Sequence, residues 1–235
     1  MAESLWNGGP VWTQAPGVFP LSTDSILLAD FASPGPRDRI LDLGTGGGIL
    51  PLLLGWDTPS RSITAVECDP AACALARENF RQNGLNVNLL EADLRDLRTL
   101  FPSGTFDLTV SNPPYFDAGS GYISQSLGAA RSEQTCTLEE LCTAAAWATR
   151  WGGRFCLVFR PERLSQLFTA LQNTGFQPKR LRPVHHSPNA PVNLLLIEAR
   201  RGGSPGLKWD KDLNLYTSAG RETKEILRIY HREKE

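Results

Sequence analysis

Hydrophobic and polar positions along this chain follow two alternating periods, and each switch between them marks an element. Short apolar runs of strand length, Arg39 to Leu43, Ser62 to Glu67, Asn86 to Glu91 and Thr105 to Ser111, are separated by stretches with helical spacing. The first gap holds an apolar helix from about Ile49 to Gly55. The second holds a helix from Pro70 to Asn83, with proline at its first turn and Gly84 just past its end. Downstream, a Thr137-x-x-Glu140 capping box starts a helix from Leu138 to Thr149. A fifth strand, Arg154 to Phe159, and a helix from Pro161 to Asn173, closed by Gly175, follow it. Near the start, Ser22-Thr23-Asp24 caps an apolar run from Ser25 to Ala32, which Ser33-Pro34-Gly35-Pro36 ends. Residues 1–20, rich in glycine and proline, read as a loop.

Pro178 to His185 and Val192 to Arg200 have no helix between them, so they are expected to pair antiparallel. The repeated β-α units predict an α/β fold. Its sheet is doubly wound, seven-stranded and mostly parallel, covered on both faces, with the last strand antiparallel. One domain is expected, made of an N-terminal loop and helix (1–36), the sheet-bearing body (37–201) and a polar surface tail (202–235) that ends in a short helix from Thr223 to His231. Trp147 and Trp151, four apart, are expected to pack in the core.

Composition narrows the picture. In 235 residues, 41% hydrophobic side chains suffice for a sizeable core. No apolar run approaches the ~20 residues of a membrane span, and the first residues lack the charged and apolar regions of a signal peptide. Five cysteines without a CxxC pair and three histidines make a metal site unexpected and reduced thiols in a cytoplasmic protein the plain expectation. The net charge of −1 hides a division. Residues 1–149 carry 8 basic and 17 acidic side chains; residues 150–235 carry 16 and 8. The basic half suits either a polyanionic partner or a set of solvated faces.

Candidate chemistry sits at the strand ends. The loop Asp42-Leu43-Gly44-Thr45-Gly46-Gly47-Gly48 lies after the first strand and before a helix, where glycines let a ligand approach the backbone. It is neither a dinucleotide fingerprint nor a phosphate loop. Its leading Asp42 would repel phosphate and suits an amine-bearing ligand. Glu67 ends the second strand, 25 residues on, in the position of a ribose-diol acceptor. Asp93 follows the third strand and could accept from an adenine amino group. Either acid alone would more often be a helix cap, but three acids at successive strand ends converge on one crevice. Asn112-Pro113-Pro114-Tyr115 follows the fourth strand. An Asn held by prolines is a rigid amide acceptor. The Asn112 side-chain oxygen and the Pro113 carbonyl could take both protons of a planar –NH2 group, with Tyr115 stacking on its ring.

With these motifs the chain resembles the class I S-adenosylmethionine-dependent methyltransferases, which are Rossmann-like. The resemblance implies that Asp42, Gly44, Thr45, Gly46 and Gly48 hold the methionine part, Glu67 and Cys68 the ribose, and Asp93 and Leu94 the adenine. Asn112 would lie beside the transferred methyl group, S-adenosylhomocysteine would be the product, and no metal is needed. The Asn112 motif resembles that of enzymes acting on adenine N6 or on a glutamine side-chain amide. Several longer stretches resemble the bacterial transfer-RNA adenine-N6 methyltransferases that modify adenosine 37 of a valine tRNA. These are Phe19 to Ala29, Arg160-Pro161-Glu162-Arg163-Leu164, Pro178 to Leu196, and Leu215-Tyr216 with Ile226 to Tyr230 in the tail. That family's Thr-Asp helix covers the cofactor, which makes Thr23 and Asp24 candidates.

A tRNA substrate would engage the basic half, with Arg160, Arg163, Lys179, Arg180, Arg182 and His185 as candidates, although an edge strand also carries charges for solubility. Alternation puts Arg180 and Arg182 on one strand face and Lys179 on the other. Tyr115, Phe116 and Tyr122 are stacking candidates for an unstacked base. Residues 117–134, with Gly119, Gly121 and Gly128, read as a mobile substrate loop in which Arg131 and Glu133 could touch substrate or form an ion pair. Three other functions remain open at this level: protein glutamine methylation, DNA adenine methylation, and non-catalytic RNA binding. A monomer or weak homodimer is expected.

Overall fold

A computed structural model of the protein describes residues 2–113 and 136–233. Its central sheet has the order β5-β4-β3-β6-β7-β9-β8, with two short strands, β10 and β11, on the outer edge of β8. The strands are β3 (Ile40–Leu43), β4 (Ile63–Glu67), β5 (Val87–Glu91), β6 (Phe106–Ser111), β7 (Thr149–Phe159), β8 (Phe176–His185), β9 (Val192–Arg201), β10 (Lys208–Trp209) and β11 (Leu213–Asn214). From β5 to β7 every pairing is parallel, while β9 runs antiparallel to both β7 and β8. The last long strand is therefore the reversed one, as the absence of a crossover helix before it requires.

Strand alternation splits the core into two layers. Leu41, Leu43, Phe155 and Leu157 face α5 (Leu138–Ala148) and α6 (Leu164–Asn173). Ile40, Leu108, Cys156 and Val158 face α1 (Thr23–Ala32), α2 (Ile49–Gly55) and α7 (Lys224–Ile229). The other helices are α3 (Pro70–Gln82) and the single turn α4 (Leu97–Leu100). Helix α5 starts at the capping box, in which Thr137 and Glu140 satisfy each other's backbone N–H groups.

Four expectations change. Residues 2–13 contain a two-stranded ribbon, β1 (Ala2–Ser4) with β2 (Val11–Thr13). The side chains of α3 hold it as a further strand would: Asn83 exchanges two 2.7 Å bonds with the Val11 backbone, and Asn79 bonds Thr13 at 2.9 and 3.1 Å. The tail is more than a surface segment. It pairs β10 and β11 parallel with β8 and buries Leu213, Ile226 and Ile229. Helix α5 stops at Ala148 and β7 begins at once at Thr149, ahead of the expected Arg154, so Trp147 ends a helix while Trp151 lies in a strand and the two do not pack together in the core. Trp147 is partly buried, but Trp151 is 73% exposed. Finally, Pro161–Arg163 forms a 3-10 turn ahead of α6 instead of its first α-helical turn.

Candidate active site at the carboxyl ends of the strands

The chain runs outward from β3 to β5, then returns to β6 on the other side of β3. That reversal opens a crevice between the carboxyl ends of β3 and β6, where ligands of such sheets bind. Two hydroxyls close the strand ends. Ser111 Oγ donates to the Leu43 carbonyl at 2.8 Å, and the Asn112 amide nitrogen donates to Ser25 Oγ at 2.9 Å. Ser25 is 2% exposed and belongs to the first turn of α1, so a helix distant in sequence clamps the Asn112 amide. With Nδ2 engaged, Oδ1 is left as the acceptor for a substrate N–H. Pro113 is buried beside it.

Across the crevice Asp42 is 1% exposed, and neither of its carboxylate oxygens has a hydrogen-bond partner. The Thr45 hydroxyl and the Ser22 hydroxyl are buried without partners as well. Burial pushes the Asp42 pKa up to about 7; the nearby Thr45 hydroxyl opposes the shift and the Glu67 carboxylate adds to it. An isolated buried carboxylate is costly unless something cationic reaches it. The glycine loop leaves room for that. Gly44 and Gly46 have positive φ, and a Cβ at either would meet nothing within 4 Å. Gly48 shares the positive φ and has a second reason: its Cβ would stand 2.6 Å from the Phe80 ring. The loop is anchored from below, because Asn79 Nδ2 donates to the Gly47 carbonyl at 2.9 Å.

The two other acids are differently engaged. Glu67 accepts from Gly46 N–H with one oxygen, at 2.8 Å, and from Cys68 and Asp69 N–H with the other, both at 2.9 Å. A carboxylate offers about four acceptor positions, so room for a hydroxyl remains. Asp93 caps the 3-10 turn Leu94–Asp96 and grips the Arg95 guanidinium, which holds its pKa below the usual carboxylate range. To accept an adenine amino group it would have to release Arg95, whose side chain is 48% exposed. Cys68 lies at the exposed rim of the crevice, and Leu94 packs partly buried under it. Burial raises the Asp24 pKa while the Arg160 guanidinium opposes the shift. Thr23 Oγ1 accepts from Tyr230 Oη at 3.1 Å, which ties the tail to the same helix end.

The basic candidates divide. Arg160 follows β7 at the crevice edge, bonding the Asn193 backbone and side chain at 3.0 and 3.2 Å, and Arg163 stands one turn on, bonded to Gln166. His185 ends β8 on the same edge but is engaged on both sides, with Nδ1 2.7 Å from the Ala190 carbonyl and Nε2 3.2 Å from Asp212 Oδ2. The remaining three point to internal partners. Arg180 lies over the Phe31 ring at 3.9 Å and pairs with Glu198 and Asp210. Arg182 pairs with Glu225 at 2.7 Å and the Lys211 carbonyl at 3.0 Å, and Lys179 bonds the Ser204 carbonyl. The expected phosphate-binding face of β8 is thus the seam that holds α1 and the tail. Pro114, Tyr115, Phe116, Tyr122, Arg131 and Glu133 lie outside the described residues. Sequence reasoning missed Ser25 and Ser111; a serine inside a helix or at a strand end gives no local signal of what lies across the fold. Among the described residues no group of His, Cys, Asp and Glu side chains is placed to hold a metal ion, and no helix is long and apolar enough to cross a membrane.

Residues 13–172 match the family model of the methyltransferase small domain. A tRNA1(Val) (adenine(37)-N6)-methyltransferase of Photobacterium profundum is 30% identical over 182 residues, covering 76% of each chain. One of the same name from Citrobacter koseri is 38% identical over 152 residues, covering 63% of this chain and 61% of the relative. A solved structure titled as a predicted O-methyltransferase from Agrobacterium tumefaciens superimposes with a TM-score of 0.73 at 20% identity, over 91% of this chain and 98% of that one.

Proposed function

This chain belongs to the methyltransferase small domain family, and on that premise we propose that it transfers a methyl group from S-adenosylmethionine to N6 of an adenine in tRNA, at position 37 of the anticodon loop of a valine tRNA. The observation that carries the reading is the pairing across the β3/β6 crevice. An Asn112 amide fixed by Ser25 faces the substrate side, and an unpartnered buried Asp42 carboxylate faces the cofactor side. When bound, the cofactor supplies an electrophilic methyl group on a sulfonium. Asp42 accepts from its amine, Glu67 from its ribose hydroxyls, and Asp93 from its adenine once Arg95 has moved. Thr23 and Asp24 cover it. The Asn112 Oδ1 and the Pro113 carbonyl would each accept a hydrogen bond from one N6–H, so the nitrogen lone pair would turn out of the ring plane toward the methyl group. The N–CH3 bond would form as the S–CH3 bond breaks, and the proton that the methylated nitrogen then sheds would leave to water. Positioning and electrostatics do the work, and no strong general base is required.

Relatives at 30% and 38% identity bear the tRNA name, which supports adenine over a glutamine amide as acceptor. Arg160, Arg163 and His185 on the crevice edge would contact the RNA, in a cytoplasmic enzyme whose product is S-adenosylhomocysteine. The test is methyl transfer from labelled cofactor to unmodified tRNA, with nucleosides read by mass spectrometry. N6-methyladenosine in one anticodon-loop fragment, lost with Asn112→Ala, is expected. Label in a protein acceptor and none in RNA would overturn the reading.

A further inference from the structure

Helix α1 makes a contact that covering a cofactor does not require. Its buried Ser25 hydroxyl takes the Asn112 amide proton at 2.9 Å. A side-chain amide is free to turn about its last torsion, and either orientation fits its shape. Turned over, Asn112 would present Nδ2, a donor, to the substrate amino group, which is itself a donor. The Ser25 hydroxyl could accept from Nδ2 or, with its own proton turned, donate to Oδ1. The bond therefore fixes where the amide sits, and in the arrangement seen, with Nδ2 on Ser25, Oδ1 is left for the substrate. The helix that supplies it is itself pinned at both ends of the tail contact. Arg228 of α7 forks onto Asp30 at 3.0 and 3.1 Å, and Tyr230 bonds Thr23.

We infer that Ser25 is a positioning residue for methyl transfer: it anchors the Asn112 side chain at the crevice where its amide can meet the substrate –NH2, and the C-terminal helix holds α1 in the place where it can do so. This rests on the function proposed above. The inference concerns the placement of Asn112, so it separates from simple substrate binding and from fold stability.

The test uses the full-length protein with unmodified tRNA and S-adenosylmethionine. S25A should lower the single-turnover rate by about tenfold, the size of one lost hydrogen bond, with the KM for cofactor and tRNA within twofold of the parent and an unchanged melting curve. Introduced into N112A, the same substitution should cause no further loss, because the residue through which Ser25 acts is gone. A second readout needs no turnover: the 15N-resolved side-chain –NH2 of Asn112, slow to exchange in the parent, should exchange faster in S25A. An unchanged rate in S25A, or an equal loss in the parent and N112A backgrounds, overturns the inference. An active N112A would instead overturn the function it rests on, so the two failures are distinguishable. If N112A leaves no measurable rate, the amide exchange decides.

Discussion

Asp42 on β3 and the arginines of β8 look alike in sequence, charges on strands of one sheet, but the fold treats them oppositely. Asp42 is sealed from water with no partner, whereas Arg180 and Arg182 each meet internal carboxylates. Burial of an uncompensated charge is unfavourable, so a fold keeps one only where something else is meant to complete it. Paired and stacked cations need no such completion; they hold α1 and the tail against the sheet. The lesson concerns satisfaction, not sign: a ligand site is marked by the charge whose partner is missing.

Removing Asp42 breaks the comparison most severely. D42A should weaken cofactor binding by about 100-fold or more, the usual cost of deleting one partner of a buried charge pair, read by calorimetry, while the free protein melts at the same temperature or higher. A second measurement uses the raised pKa. In the free protein Asp42 stays protonated up to about pH 7, whereas an amine ligand needs it ionised. Cofactor affinity should therefore climb by about tenfold per pH unit between roughly pH 5 and 7 and then level off, with proton uptake by buffer on binding; D42N should flatten the slope. Stability of the free protein runs the other way. A folded pKa raised above the unfolded value makes stability greatest below the ordinary aspartate value of 3.8 and lets it fall as pH rises to about 7.

Breaking the basic seam should act on stability instead. Glu198, 9% exposed, is shared by Arg154 and Arg180 at 3.6 Å. E198A leaves two guanidiniums without it and should cost about 3 kcal/mol in a urea melt, with cofactor affinity within twofold. The smallest effect sharpens the division within the basic candidates. R163A at the crevice edge should raise the KM for tRNA a few-fold and lower the salt slope by about one unit. K179A, down β8, should leave both unchanged. Equal effects of the two would mean that the RNA footprint extends along β8.

Much of the sheet was legible because its signals are local. The helix Ile49–Gly55 was placed to the residue, and the capping box at Thr137 was read directly from four positions. The N-terminal ribbon was not, since its partner is a pair of asparagine side chains on α3 some 66 and 72 residues away. Trp151 was misplaced because its four-residue spacing from Trp147 suggested a shared core, whereas β7 already starts at Thr149 and carries it out to solvent. At the site, Asp42, Glu67, Asp93 and Asn112 could be picked out, but their state could not: Glu67 holds three backbone N–H groups, Asp93 holds Arg95, and only Asp42 waits.

By itself the sequence determined which residues end the strands and that they carry acids, glycines and an Asn-Pro-Pro-Tyr turn, because periodicity and turn chemistry act over a few neighbouring residues. Tertiary structure alone decided which of those charges lacks a partner and what anchors the Asn112 amide. Both depend on groups brought together from opposite ends of the chain: Ser25 reaches Asn112 across 87 positions, and Tyr230 reaches Thr23 across 207. Contacts of that separation leave no periodic trace in sequence, since each requires the whole sheet to form before its two ends can meet.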